Sequence, residues 1–228
     1  NRTGTDSYWS TFKFKKNHFK TLTEYLHDEQ YYTLADVVNT LVIPKQGFDE
    51  FLIHDESEDD LTSRHCGFLD QMQKINSDKK NFFIYLQYSN IHTGIMNDVL
   101  KVYDNFSDKY FSNKKINEKK YDKLFKNAEN YLEIILEKIN SLELDKNSIM
   151  LIMSDHGIST GEKIGERAYG AFCYDYTLRT LTYFIFPELK PIEIKQQIRT
   201  IDFMPTILEY LDIKQSNNFE KIDGESLI

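Results

Sequence analysis

The sequence predicts an α/β protein with a largely parallel sheet. Short apolar runs at 81–89 and 149–153 are typical of strands buried on both faces. A long helical pattern lies between them. Alternation of strand-like and helical segments along a chain is the signature of this fold class.

The N-terminal elements are indicated by pattern and by turn residues. Residues 19–29 have the pattern of a first helix, and 31–39 predicts an extended stretch that is followed by a turn at 45–51. The acidic segment 55–60 is interpreted as a solvated loop rather than a cation site, because it lacks the spacing of a calcium loop. A further helix is expected to begin near Leu61.

The later elements are predicted in the same way. Residues 116–142 carry apolar side chains at three- and four-residue steps, which predicts a long amphipathic helix that packs by one face. This helix leads into the strand at 149–153, which we expect to lie parallel to and beside the strand at 81–89. A third strand is expected at 181–186, and Asp202 is expected to N-cap a short amphipathic helix.

Composition and charge exclude several classes of protein. The chain has 228 residues, of which 40% are hydrophobic, so it can bury the core of one large domain. Its net charge is −8, with lysines interspersed among acids, and we therefore expect no nucleic-acid partner. No apolar run approaches the roughly 18 residues of a membrane span. Cys66 and Cys173 lack metal-ligand spacing and are interpreted as two buried thiols rather than a disulfide.

Polar side chains stand at the end of the strand at 149–153. Asp155 and His156 can each donate a lone pair to a divalent cation, and Gly157 lets the backbone turn beneath them. Ligands of open α/β sheets bind outside the carboxyl ends of strands. The alternative is an ordinary exit from a strand in which Asp155 caps a helix, and the residues alone leave both interpretations open.

The order of several motifs resembles the sulfatase branch of the alkaline phosphatase superfamily over nearly the whole chain. The motifs are TLTEYL at 21–26, GFDEF at 47–51, FFIYLQYSNIHT at 82–93, SDHGISTG at 154–161, IDFMPTILEYL at 201–211 and DGESL at 223–227. The resemblance implies an alkaline-phosphatase-like three-layer sandwich, with a mostly parallel central sheet and helices on both faces.

The resemblance also implies what precedes the chain. Residues 1–4 look like the end of a segment that follows the family's nucleophile. We therefore expect residues 1–228 to form one sulfatase-like domain truncated at its N-terminus, inactive alone and partnered by the missing segment of the same protein. Such a chain should expose an apolar edge or face beside the strand that ends at Asp155.

Site residues follow from the same resemblance. Asp155 and His156 match the family's C-terminal pair of metal ligands, which implies one divalent ion. Calcium is the expected ion, while the imidazole also admits manganese or zinc. His92 matches the histidine that binds the transferred group and can protonate the leaving oxygen. Its alternative role is that of a strand-end histidine with no part in chemistry.

One position departs from the family pattern. The family carries a lysine or histidine shortly before an aromatic-acidic pair, and here that pair looks like Tyr174-Asp175. Counting back places Tyr169 where the cation is expected. We predict that Lys163 and Arg167 supply the positive charge that binds substrate, although Lys163 is equally consistent with a solvated surface residue.

The predicted function is metal-dependent hydrolysis of sulfate esters in a small molecule or glycan. One alternative is a phosphoryl-ester hydrolase, phosphotransferase or phosphodiesterase of the same superfamily, which a histidine after Asp155 favours. Another is a non-catalytic binding protein that keeps the fold. If the site is shared, His92, Asp155 and His156 should converge around one cleft.

Overall fold

A computed structural model describes residues 18–57, 59–103, 108–169 and 172–228. Contacts divide the chain into two compact units. The first contains the described residues up to His54, Lys74–Gln87 and Pro191–Ile228. The second contains the described residues of Asp55–Gln73 and Tyr88–Lys190. The expected end of the nucleophile segment, at residues 1–4, lies outside the described residues.

The first unit is built on a parallel three-stranded sheet. Its strands are β1 (Tyr32–Val37), β2 (Glu50–Ile53) and β3 (Phe82–Leu86), in the order β2-β1-β3. The central position of β1 explains its burial, because both of its edges are paired and Leu34 and Val37 are fully enclosed. The predicted α/β class with a parallel sheet is therefore confirmed.

Helix α1 (Leu22–Asp28) begins at a capping box. The Thr21 hydroxyl accepts a hydrogen bond from the Glu24 amide, and the Glu24 carboxylate accepts one from the Thr21 amide. The Thr23 hydroxyl donates to the carbonyl of Gln46 at 2.6 Å. The Thr33 hydroxyl of β1 donates to the next carbonyl, that of Gly47, at 2.7 Å. A Cβ at Gly47 would lie 2.4 Å from the Glu24 amide nitrogen, so the TLTEYL and GFDEF motifs contact one another at the start of the sheet.

Asp202 has a different role from the predicted one. It precedes α7 (Phe203–Tyr210), but its side chain makes no capping bond to that helix. Its carboxylate instead accepts hydrogen bonds from the Arg199 guanidinium at 2.8 Å and from the Glu225 amide at 3.0 Å. Asp202 therefore fastens the DGESL segment to the start of α7, because a buried carboxylate needs several donors.

Helices dominate the second unit. They are α2 (Leu61–Ser77), which ends in the first unit, α3 (Asn90–Gly94), which continues as a π-helical turn Ile95–Leu100, α4 (Lys109–Ser112), α5 (Lys114–Ser141) and α6 (Asp175–Leu178). The long helix and the helix at Leu61 lie where the sequence predicted them. Within this unit α2 is joined to α5 by a hydrogen bond between His65 Nδ1 and the Tyr131 hydroxyl, at 2.6 Å.

The direction of one strand differs from the prediction. Strand β4 (Met150–Met153) pairs antiparallel with β5 (Thr182–Ile185), whereas we expected a parallel strand. The chain reverses after β4, and the Ser154 amide donates to the Leu181 carbonyl at 3.0 Å, which continues the antiparallel ladder. The strand is half-buried, and Met153 is 40% exposed. An apolar run indicates a strand but carries no information on the direction of its partner.

Both cysteines are free thiols. Cys66 is half-buried, and burial raises the pKa of its thiol. Cys173 is exposed, so the prediction of a buried thiol is wrong at that position.

The sequence predicted no membrane span, and the lengths and polarities of the helices bear on this prediction. Among the described residues, every helix is too short or too polar to cross a bilayer.

Gly157 provides a stability test of the loop that follows β4. A Cβ at this position would lie 2.2 Å from the carbonyl oxygen of Tyr176, so Gly157→Ala must displace backbone. We expect a loss of about 2 kcal/mol or more in the free energy of unfolding, measured by chemical denaturation. Gly67→Ala in α2 is the matched control, because a Cβ there meets nothing within 4 Å. It should leave stability unchanged or raise it by up to about 1 kcal/mol. Equal effects of the two substitutions would contradict the close approach at Gly157.

Candidate active site in the second unit

The candidate site is carried by the loop 154–169, which we call the Asp155 loop. At its start the Gly157 amide donates to the carbonyl of Thr177 at 3.0 Å. Further along, the Ser159 amide donates to the carbonyl of Ala168 at 2.6 Å, which closes the loop upon itself. The loop is therefore held both to α6 and across its own base.

Buried side chains of α4 and α5 anchor this loop. The Tyr110 hydroxyl donates to the Ser159 carbonyl at 2.6 Å and accepts from the Ala168 amide at 3.1 Å. Asn117 donates to the carbonyls of Tyr110 and Thr160, at 3.0 and 2.9 Å. Tyr110 and Asn117 are fully buried, and burial raises the pKa of the Tyr110 phenol, so it remains a donor.

Two glutamates of the loop have structural partners. Glu162 accepts hydrogen bonds from the Thr160 amide and hydroxyl and from the Ser159 hydroxyl. Burial opposes its ionisation, but these bonds prevail and lower the pKa of its carboxyl. The buried Glu166 accepts from the Tyr176 hydroxyl at 3.0 Å. Both carboxylates stabilise loop geometry.

Asp155 and His156 lie side by side at the exposed tip of this scaffold. Their side chains are 83% and 43% exposed, and Asp155 Oδ2 lies 3.7 Å from His156 Nε2. His156 Nδ1 lies 2.7 Å from the carbonyl oxygen of Gly157. A carbonyl only accepts hydrogen bonds, so Nδ1 carries the proton and the neutral ring keeps a lone pair on Nε2.

This donor set fits a divalent metal ion. The separation of 3.7 Å between Nε2 and Oδ2 is too long for a hydrogen bond but suits two ligands of one ion. A metal-bound histidine commonly donates its other N–H to a carbonyl, as His156 does to Gly157. One carboxylate and one imidazole accept calcium, manganese or zinc. The alternative capping role of Asp155 is limited to the adjacent His156 amide, which donates to it at 2.9 Å.

Tyr169 joins His92 to this pair. The His92 and Tyr169 rings stack, with centroids 5.0 Å apart and planes at 24°. The His156 ring meets the same phenol edge-on, at 5.7 Å and 89°. The Tyr169 hydroxyl donates to the His92 carbonyl at 3.1 Å. Helix α3 and the Asp155 loop are thereby coupled through one side chain.

Burial shifts the ionisation of the Tyr169 phenol. Burial raises the pKa of its phenol to about 12, and the negative charges of Glu56 and Asp155 add to the effect. The phenol is therefore neutral throughout the physiological range.

Lys163 and Arg167 point to other rings. The Lys163 ammonium lies 4.0 Å from the centroid of Tyr174. The Arg167 guanidinium lies 5.7 Å from the ring of Tyr110 and 5.8 Å from that of Phe111. The part of both cations in anion binding stays a prediction.

Some buried polar groups of the structure were not predicted from the sequence. In the first unit, Asp36 Oδ2 lies 3.0 Å from His54 Nδ1, and both side chains are fully buried. Asp36 lies near the end of β1 and His54 directly follows β2, so the available signal was their position at neighbouring carboxyl ends of parallel strands. Both side chains are of types that bind metals. No sequence pattern marked Tyr110 and Asn117, because they bind backbone atoms of residues that are distant in sequence.

Comparison with known proteins identifies the family. Residues 2–213 match the profile of the Sulfatase family, and the chain therefore belongs to that family. This confirms the resemblance seen in the motifs. The sequence matches no curated protein.

Solved structures support the fold. The lipoteichoic acid synthase LtaP from Listeria monocytogenes superposes with a TM-score of 0.69 at 17% identity, over 92% of this chain and 56% of LtaP. Ps i-CgsB gives 0.64 at 16% identity, over 90% and 56% of the two chains. BT4656 gives 0.53 at 17% identity, over 94% and 64%. The chain thus has the alkaline-phosphatase-like α/β fold and spans less than two thirds of each of these proteins.

The metal assignment predicts metal-dependent stability. Calcium, manganese or zinc should raise the melting temperature of the protein relative to a chelator, because an ion that binds only the native state stabilises it by mass action. Asp155→Ala should abolish most of the rise. Asp122→Ala is the control, since Asp122 lies on the exposed side of α5. A melting temperature that none of the three ions changes would refute the assignment. A rise in melting temperature that persists in Asp155→Ala would place the ion at other residues.

Proposed function

We propose that this member of the sulfatase family is a metal-dependent hydrolase of sulfate esters. The observation that supports the proposal most directly is the meeting of His92 and His156 on the ring of Tyr169, beside Asp155. Hydrolysis of a charged ester needs a cation at the transferred group and a proton for the leaving oxygen. In this proposal Asp155 and His156 hold the cation and His92 donates the proton.

The residues divide this chemistry between them. Asp155 Oδ2 and His156 Nε2 would hold the divalent ion, calcium or else manganese or zinc, which when bound supplies Lewis-acid stabilisation of ester oxygens. The Gly157 carbonyl keeps the His156 lone pair directed outward. His92 is exposed, with one ring face covered by Tyr169, so its ring nitrogens are accessible to an ester.

Lys163 and Arg167 complete the proposed substrate-binding set. Both lie on the Asp155 loop, where the Lys163 ammonium lies over the ring of Tyr174 and the Arg167 guanidinium over that of Tyr110. We assign them to outlying negative charges of a polyanionic substrate. The ester that reacts would meet the metal and His92.

The substrate class is inferred from relatives. BT4656 has been solved with D-glucosamine-2-N,6-O-disulfate, its substrate, and Ps i-CgsB with the glycan k-i-k-neocarrahexaose. We infer a sulfated small molecule or glycan for this protein. We also propose that residues 1–228 act as one sulfatase-like domain.

A phosphoryl ester is the second candidate. The nitrogen ligand offered by His156 favours softer ions than an all-oxygen site does, and such ions serve phosphoryl chemistry well. LtaP, which gives the TM-score of 0.69, is described as a lipoteichoic acid synthase. These two observations favour a phosphotransferase or phosphodiesterase as the alternative. A non-catalytic relative would bind such esters without turnover.

The test combines binding with turnover. We expect the full-length protein, which would include the nucleophile segment, to bind glucosamine sulfate and release sulfate only with a divalent ion. In that protein His92→Ala and Asp155→Ala should each reduce binding or turnover at least about tenfold. Asp122→Ala should retain wild-type values. Metal-dependent binding without release would support the non-catalytic alternative. Absence of metal-dependent binding and turnover for both sulfate and phosphate esters would refute the proposed function.

A further inference from the structure

The N-terminal half of α5 is basic, although the chain as a whole is acidic. Residues 109–126 contain seven lysines and two acids, whereas the net charge of the chain is −8. Lys115, Lys119 and Lys123 follow one another at i, i+4 spacing, which gathers these three exposed side chains on one side of the helix. We call them the lysine row. Along the sequence acids stand between these lysines, so only the helix separates the charges.

The lysine row carries uncompensated charge. Its neighbours are paired, since Lys114 Nζ lies 3.3 Å from a carboxylate oxygen of Glu118 and Lys126 Nζ lies 2.7 Å from one of Glu129. The three ammonium groups of the row have no acidic partner among the described residues. Like charges at i, i+4 spacing repel, and Lys115 also lies in the first turn, where the helix dipole disfavours a cation. A bound polyanion would relieve both costs.

The lysine row lies on the part of α5 that supports the candidate site. The Asn117 amide donates to the Thr160 carbonyl of the Asp155 loop at 2.9 Å. Further along, a Cβ at Gly94 of α3 would lie 2.3 Å from the Leu124 side chain, so the helix that carries His92 packs closely against α5. The row is the exposed side of this same stretch. A long substrate with one unit at the candidate site has further units that can contact it.

The shape of the lysine row favours a linear chain over a flat membrane. The row extends roughly 12 Å along the helix axis, at 1.5 Å per residue. Glu118 and Asp122 border it on one side, so a planar anionic surface would meet carboxylates as well as lysines. Ile116 is 51% exposed beside the row, but a single apolar side chain provides little area to insert into lipid. A linear polyanion follows the lysines and leaves the acids in solvent.

A single-stranded nucleic acid fits the lysine row less well than a glycan does. Such strands bind by stacking their bases on aromatic rings as well as by charge. Phe125, an exposed aromatic side chain of this stretch, follows Lys123 by two residues and therefore points from nearly the opposite side of α5. The sulfate groups of a glycan need charge contacts alone, and the row offers these.

We propose that the lysine row is a secondary binding surface for a sulfated glycan chain, separate from the place where an ester reacts. The inference rests on the proposed function and extends its substrate from a single sulfated sugar to a chain of several. Each ammonium group pairs with a sulfate of a unit that is not cleaved. Because these ion pairs are exposed, binding weakens as the salt concentration rises.

The test measures the dissociation constant of a fluorescent sulfated oligosaccharide for the full-length protein, at low salt and in a chelator. The chelator makes the result independent of any metal ion at Asp155 and His156. Replacing each lysine of the row with glutamine should raise the dissociation constant about tenfold, because an exposed ion pair contributes a few tenths of a kcal/mol to about 1 kcal/mol. The dependence of binding on salt should also become less steep.

The control variant removes the same charge from exposed positions of the first unit, Lys80→Gln, Lys195→Gln and Lys214→Gln. It should change the dissociation constant by less than about twofold. Thermal melts establish that both variants are folded, and loss of like-charge repulsion should leave the melting temperature of the row variant unchanged or higher. If the row variant does not fold, Lys119→Gln alone decides, with an expected weakening of about twofold against none for Lys80→Gln.

The outcomes separate this surface from the proposed function. Equal weakening by the row variant and the control variant would overturn the proposal, because net charge alone would then explain binding. Row-dependent binding of an oligothymidylate of matched charge, or of phosphatidylglycerol vesicles, as tight as that of the oligosaccharide would assign the row to another partner and overturn it too. Failure of the oligosaccharide to bind would overturn the row and leave sulfate release from glucosamine sulfate as the test of function. Row-dependent binding without any such release would support the row and contradict the hydrolase.

Discussion

The candidate site depends on a few buried hydrogen bonds that hold an exposed loop. The Tyr110 hydroxyl and the Asn117 amide bind backbone groups at Ser159, Thr160 and Ala168. Each bond contributes about 1 kcal/mol, and removal of one partner would leave a buried polar group unsatisfied. Since these bonds hold Ser159, Thr160 and Ala168 in place, they help to position Asp155, His156 and Tyr169 on the Asp155 loop. A flexible loop could not keep three aromatic rings in contact.

Tyr169 connects this loop to His92 of α3. It holds α3 by a hydrogen bond to the His92 carbonyl and contacts the ring of His156 at the other side. The fixed tautomer of His156, set by the Gly157 carbonyl, then offers a nitrogen lone pair beside Asp155. Tyr169 positions the two histidine rings and adds no positive charge.

Much of the fold was predictable, because the spacing of apolar residues indicates which face of a helix or strand is buried. The pattern at 116–142 corresponds to α5, and the apolar runs correspond to β3, β4 and β5. The antiparallel pairing of β4 was not predictable, since it depends on how the chain returns after Ser154. Asp155, His156 and His92 were predicted as site residues from motifs, and they remain a prediction. The contacts of Lys163 and Arg167 with aromatic rings depend on residues remote in sequence. Tyr169 was recognised only as a departure from a pattern, and its role required the three-dimensional arrangement.

The most direct test of this account is a crystal structure of the protein soaked with manganese or zinc, with the ion located by anomalous scattering. The account predicts a single strong peak bound by Asp155 Oδ2 and His156 Nε2, with the His92 ring stacked on Tyr169 as it is here. An ion bound at other residues, or an ion at Asp155 with the His92 ring displaced from Tyr169, would contradict it.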